Sequence, residues 1–301
     1  MRHENDNRNI VYGLQLTGMA LLFTACGPDE ATVAKIRSDV IAEQQQAALK
    51  ADLKTKEKIL VENNEKLLAL KFPSDTETEK YANGAYYAPL SAYQLTLLED
   101  WHLMVSKELL QSPLWPAVQK ETSQQLILIK KRLPAKMVSA MQKVTIFFEL
   151  NRGMDPCAVY HPDKDWLGKN GYNPAKANCI EITHAQNFID WTRYQQPFVL
   201  MHELAHSYHN QVLGFDNSEI AKLFAQAQKQ GRYDAVLRLS TDQREKAYAM
   251  SNAQEYFAEA IEAYFGVNDF YPFVRRELKE SDPDMYNWIH RNLDLHHEYP
   301  R

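Results

Sequence analysis

Glycine is scarce in this chain: 10 among 301 residues, well below the roughly 7% of an average protein. Neither G-x-G-x-x-G nor G-x-x-x-x-G-K-[ST] occurs, which argues against a glycine-loop nucleotide enzyme. Positive charge is not in excess. The formal net charge is −5, and broad nucleic-acid binding needs a basic footprint. Three cysteines, Cys26, Cys157 and Cys179, are too few for a disulfide-dense scaffold or a four-cysteine zinc site. No uninterrupted apolar run reaches the roughly 20 residues that a bilayer-spanning helix needs. What is present, 45% hydrophobic and 24% charged residues, suits one large globular domain, or one domain with an appendage.

The beginning of the chain stands apart. Residues 10–25 are mostly apolar but interrupted by Gln15, which reads as the apolar region of a signal peptide. The string Leu22-Phe23-Thr24-Ala25-Cys26-Gly27 resembles a bacterial lipoprotein lipobox, despite Phe23 where Leu is usual and two acids near the start. That resemblance implies a signal peptide over 1–25 and lipidation of Cys26. It also implies an extracytoplasmic location on a periplasm-facing membrane or the cell surface. An ordinary secretory signal and a buried N-terminal helix are the competing readings. Residues 30–71 lack Pro and Gly and are rich in Ala, Gln, Lys and Glu, a helix-favouring composition. Residues 26–72 therefore read as an anchor with a helical stalk, or as a solvated linker, ahead of a domain over 73–301.

Phe72-Pro73-Ser74-Asp75 ends that stretch. Over 85–142 the spacing of Leu95, Leu97, Leu98, Trp101, Leu103, Met104, Leu109 and Leu110 predicts helix. Lys143 to Leu150 alternates as a strand, with Val144, Ile146, Phe148 and Leu150 on one face and Thr145, Phe147 and Glu149 on the other. Residues 151–178 read as loop, Cys179 to Thr183 as a second short strand, and the remainder as mainly helical.

The chemistry lies in His202-Glu203-Leu204-Ala205-His206, on a predicted helix over about 196–213 that Gly214 stops. Positions i and i+4 share a helix face, so both imidazoles reach one metal ion. Glu203 then lies close enough to act on a metal-activated water. His209 sits about 10 Å further along the axis, so it reads as packing rather than as a third ligand. A better third ligand is Glu255, on a helix over about 252–265. Ser251 and Gln254 are its candidate capping box and Gly266 its stop. There Tyr256, Phe257, Ala260, Ile261, Tyr264 and Phe265 form an apolar face, and Glu255, Glu259 and Glu262 the opposite stripe. The stripe is either a solvated acidic surface or a ligand-bearing face on which Glu255 binds metal and Glu259 orients a ligand histidine.

His202-Glu203-x-x-His206, followed by Tyr248 and then Asn252-x-x-Glu255-Tyr256-Phe257-Ala258-Glu259, resembles the catalytic domain of the anthrax lethal-factor type of zinc peptidase, a gluzincin. A wider likeness, over about 85–295, links the chain to bacterial and fungal metallopeptidase-like proteins. The resemblance implies an α+β, zincin-like domain, mostly helical with a small twisted sheet. It also implies one Zn2+ held by His202, His206 and Glu255, with Glu203 as general base and Tyr248 stabilising the transition state. Glu259 stands where the thermolysin form of the motif has Asp. The expected activity is zinc-dependent hydrolysis of a peptide or protein substrate, bound as an extra strand on the edge formed by residues 179–183. Two readings compete. One is a non-catalytic zinc-binding lipoprotein acting as a binding or scaffold module, with His161 or His184 closing the site. The other is an interaction protein built around residues 30–71. With Cys26 lipidated, Cys157 and Cys179 remain as a candidate disulfide or as two thiols.

Overall fold

In the computed structural model, which describes residues 88–152, 157–241 and 243–294, helices surround one small mixed sheet in an α+β arrangement. The signal peptide at 1–25, Cys26 and the stalk at 26–72 lie outside the described residues.

The first elements are a hairpin, Tyr93–Leu98 (β1) and Trp101–Ser106 (β2), not the helix predicted from the leucine spacing. Its turn residues, Glu99 (φ 51°) and Asp100 (φ 71°), are both left-handed, as a two-residue type I′ hairpin requires. Asn-Gly or Asp-Gly normally announces such a turn, and Glu-Asp does not. The turn is held from outside instead. Ser123 Oγ donates to Glu99 Oε1 at 3.0 Å, and Lys130 Nζ donates to Glu99 Oε2 at 2.8 Å. Leu109 and Leu110 do fall in a helix, Lys107–Gln111 (α1), followed by Trp115–Arg132 (α2) and Ala135–Met141 (α3).

Ile146–Phe148 (β3) alternates as expected: Ile146 and Phe148 join the main core, and Phe147 faces the other side with Leu90, Tyr93 and Met104. The stretch read as loop contains a strand, Ala158–Tyr160 (β4), and a short helix, Lys164–Lys169 (α4). Ile180–Ile182 (β5) follows, and the sheet order is β1-β2-β3-β5-β4, with β2/β3 and β3/β5 parallel and the outer pairs antiparallel. The 179–183 strand is therefore internal. Among the described residues the edge beside it is β4, which the prolines and charges around it had hidden.

The same register separates the cysteines. Thr183 N–H donates to Cys157 O, and His161 N–H donates to Cys179 O, each at 2.9 Å. The two cysteines thus sit at opposite ends of the β4/β5 pair, four positions apart, or about 13 Å at strand rise. A bridge needs Cα atoms within about 7 Å, so Cys157 and Cys179 form no disulfide.

On the sheet face away from the main core, a buried polar network joins β1, β3, β5 and the segment after β4. Lys176 Nζ donates to Glu149 Oε1 at 2.7 Å and to Glu181 Oε1 at 2.5 Å. The Tyr93 hydroxyl donates to Glu149, and His161 Nε2 pairs with Glu181 Oε2 at 2.8 Å. Lys176 is 1% exposed and Glu181 0%. Its Nζ lies 5.1 Å from both the Tyr93 and Phe147 ring centroids.

The remaining helices are Ala185–Tyr194 (α5), Val199–Tyr208 (α6), Ser218–Lys229 (α7), Ala253–Phe265 (α8), Arg275–Ser281 (α9) and Pro283–Ile289 (α10). A two-residue ribbon, Val236–Leu237 (β6) with Arg244–Glu245 (β7), precedes α8. Every residue of α6 is buried, as befits a helix packed on all sides. It runs between β4 and α8 and continues as a π-helical turn, His209–Leu213. Gly214 ends it at φ 82°, where a Cβ would stand 2.6 Å from Asp216 Oδ1.

Candidate metal centre

Two helices bring the site together. At the start of α6, the Leu200 N–H donates to the Gln125 side-chain oxygen of α2 at 3.1 Å, satisfying a backbone donor that the helix itself leaves unpaired. At the start of α8 the cap is Asn252, one residue after the expected Ser251. Its side-chain oxygen accepts from the Glu255 N–H at 2.8 Å. That bond fixes the turn that carries Glu255. At the other end, Gly266 passes so close to Phe198 that a Cβ would lie 3.0 Å from the ring.

His202, His206 and Glu255 converge. Glu255 Oε2 lies 3.0 Å from His202 Nε2 and 3.1 Å from His206 Nε2, and the two Nε2 atoms are 3.1 Å apart. His202 Nδ1 is 2.7 Å from Glu262 Oε2. With Nδ1–H donating there, Nε2 is the nitrogen turned to the cluster. Three ligand atoms facing one point are bridged by a proton or by a metal ion. The set suits a metal ion: these are the three residues able to hold one among the described residues. Burial pushes the His202 imidazole down, but Glu262 and Glu255, with Glu203, outweigh it and hold it well above the usual histidine range. Burial would raise Glu255, yet its hydrogen bonds to both histidines hold it well below the usual carboxylate range.

Glu203 is 7% exposed and faces the same space. Burial pushes its carboxyl up, and His202, His206 and a backbone hydrogen bond from Tyr160 partly offset this. Tyr248, in the 3-10 turn Tyr248–Met250, is half exposed and lines the cleft. Burial and then the Glu255 charge raise its hydroxyl pKa. It is therefore a proton-bearing donor at neutral pH. The cleft in front of these groups has a volume of about 470 Å³ and is walled by β4, α6, the start of α8 and Phe270.

The carboxylate that orients His202 is Glu262, not Glu259. At 100° per residue, Glu262 lies about 20° around the helix from Glu255, and Glu259 about 40° to the other side. Glu259 instead accepts from Asn268 Nδ2 at 3.3 Å. Burial, then Asp269, push its pKa well above the carboxylate range. Glu262→Gln is expected to weaken metal binding by about 10- to 100-fold, measured by competition with a chromophoric chelator. Glu259→Gln should change it far less, and equal losses would contradict the assignment. Among the described residues, the other histidines lie apart from the cluster. His161 belongs to the Lys176 network, and His184 Nδ1 accepts from the Asn187 N–H at 3.2 Å as the cap of α5. His209 is packing: its ring is fully buried between Phe215 and Phe257.

A family model described as anthrax toxin lethal factor, N- and C-terminal domain, matches residues 116–292. Neither the curated proteins nor the solved structures give a match. The matched span includes all of His202, Glu203, His206, Tyr248, Glu255 and Glu262, and takes in well over half of the sequence. The chain belongs to the anthrax toxin lethal factor N- and C-terminal domain family.

Proposed function

We propose that the protein is a zinc-dependent peptidase of the zincin, gluzincin type. The observation that carries this reading is the convergence of His202 Nε2, His206 Nε2 and Glu255 Oε2 within 3.1 Å of one another, beside Glu203 and an open cleft. Tetrahedral zinc ligands at about 2.0–2.1 Å would stand about 3.3 Å apart. Three protein ligands with an open side suit a catalytic rather than a structural site, which disfavours the scaffold alternative. Bound zinc supplies Lewis acidity to water and to the scissile carbonyl.

The chain's own residues supply the rest. Glu203 takes the proton of the attacking water and delivers it to the leaving amine. The Tyr248 hydroxyl donates a hydrogen bond to the developing oxyanion. Glu262 keeps the His202 tautomer fixed. An extended peptide fits along β4. The residues bonded to β5 are 157, 159 and 161, so the backbone groups of Ala158 and the Tyr160 carbonyl point away from β5, while the Tyr160 N–H serves Glu203. We place the enzyme outside the cytoplasm, lipid-anchored through Cys26, which mass spectrometry of the membrane-extracted protein tests. An unmodified Cys26 would end the anchor reading. The activity is tested with a generic peptide library and the purified protein. Cleavage should stop on chelation and return with zinc, and cleavage insensitive to chelation would refute the proposal.

A further inference from the structure

Among the described residues, the cleft wall carries one arginine or lysine, Arg238. It follows β6, and its backbone is held rigidly against the wall. Arg238 bridges to Phe270, the Leu239 N–H donates to Asp269 O at 2.7 Å, and the Tyr271 N–H donates to Leu237 O at 2.8 Å. The guanidinium lies over the Phe270 ring, 5.2 Å from its centroid. An arginine fork offers five N–H donors. Here Nε is buried without a partner, and the ion-pair partner, Glu245 Oε1, stands 3.7 Å from Nη1, beyond hydrogen-bond range. Glu203, Glu255, Glu259 and Asp269 line the same cleft, and none of these four is hydrogen-bonded or ion-paired to Arg238.

A rigid, ring-stacked guanidinium with unused donors, set in the wall of a substrate cleft, matches a planar carboxylate. We infer that Arg238 receives a carboxylate of the substrate and makes the cleft prefer peptides that present one to it. The inference rests on the peptidase reading above. The carboxylate has two sources, an Asp or Glu side chain or a free peptide C-terminus, and both present the same fork to Arg238.

The test uses fluorogenic peptides that carry Glu or Gln at each position around the scissile bond, each made as the free acid and as the C-terminal amide. The readout is the ratio of kcat/KM for a carboxylate peptide to that of its neutral analogue. Kd ratios are measured in parallel on the Glu203→Gln protein by calorimetry, which needs no turnover. The wild-type ratio should be about 10- to 100-fold, as for a charge-assisted hydrogen bond. Arg238→Gln should bring it close to one, and Arg238→Lys should keep part of it. A preference that follows the Glu position assigns the side chain, and one that needs the free acid assigns the terminus; both support the inference. A ratio near one in the wild type, or one unchanged by Arg238→Gln, overturns it. So does an equal fall for acidic and neutral peptides, which would make Arg238 a carbonyl-binding residue. If no peptide is cleaved, the peptidase reading fails, and the Kd ratios still decide Arg238.

Discussion

Glu203→Gln is expected to lower kcat by about 10²- to 10⁴-fold while leaving the metal in place. The amide keeps the shape of the side chain but cannot take the proton of the attacking water. His202, His206 and Glu255 make their contacts to one another and to Glu262, not through Glu203, so metal content should be preserved. The fold should not suffer either, because Glu203 is buried and its charge is the form that burial disfavours. The base works only when deprotonated, so kcat/KM should fall with acidification as Glu203 takes up its proton. Steady-state kinetics with metal analysis on the same sample checks both points. Unchanged turnover at full metal loading would remove Glu203 from the mechanism.

Lys176→Met is expected to cost about 3–5 kcal/mol, because it leaves Glu149 and Glu181 buried together without their cation. For a domain of this size that lowers Tm by roughly 6–20 °C. The triple variant Lys176→Met, Glu149→Gln, Glu181→Gln removes the unpaired charges as well and should recover part of the loss. The pH behaviour follows from Glu181. Burial pushes its carboxyl up, but Lys176 and His161 outweigh this and hold it down to about 2. In the native protein it therefore contributes stability above its unfolded value of 4.5, and that stability is lost as pH falls toward 2. Without Lys176 the direction reverses. The buried carboxylates then prefer their protons, so the variant regains stability as pH falls toward the unfolded value of 4.5, and the deficit narrows further below it as the native protein loses the Glu181 contribution. Thermal unfolding across pH checks this, and a deficit under about 1 kcal/mol at neutral pH would contradict the network's role. The network ties β3 and β5 to the segment leaving β4, so its loss should also loosen the edge proposed to hold the substrate.

The sequence carried the chemistry more openly than the architecture around it. His202, Glu203 and His206 are contiguous, so helix geometry alone puts them on one wall. Glu255 was legible because its helix opens at Asn252 and presents one acidic stripe. Choosing within that stripe was not possible from spacing, since Glu259 and Glu262 both flank the Glu255 direction. Contact with His202, set by the packing of α8 on α6, decided for Glu262. The β1/β2 hairpin was hidden for a local reason: Glu99 and Asp100 take a left-handed turn without glycine or asparagine, held by Ser123 and Lys130 from a helix more than 20 residues away. β4 has three residues, too short for alternation to register. Its position at the edge follows from pairing with β5, a tertiary fact, and the same pairing parts Cys157 from Cys179. Lys176, Glu149 and Glu181 read singly as ordinary surface charges, and only the fold brings them together inside.

The central claim is that His202, His206 and Glu255 hold one catalytic metal ion. Zinc K-edge X-ray absorption, with metal content measured on the same sample, tests it most directly. The account predicts about one zinc per chain, bound by two imidazoles and oxygen with no sulfur, and loss of that zinc in Glu255→Ala. A sulfur ligand, a third imidazole, or a wild-type protein that takes up no stoichiometric metal would contradict it.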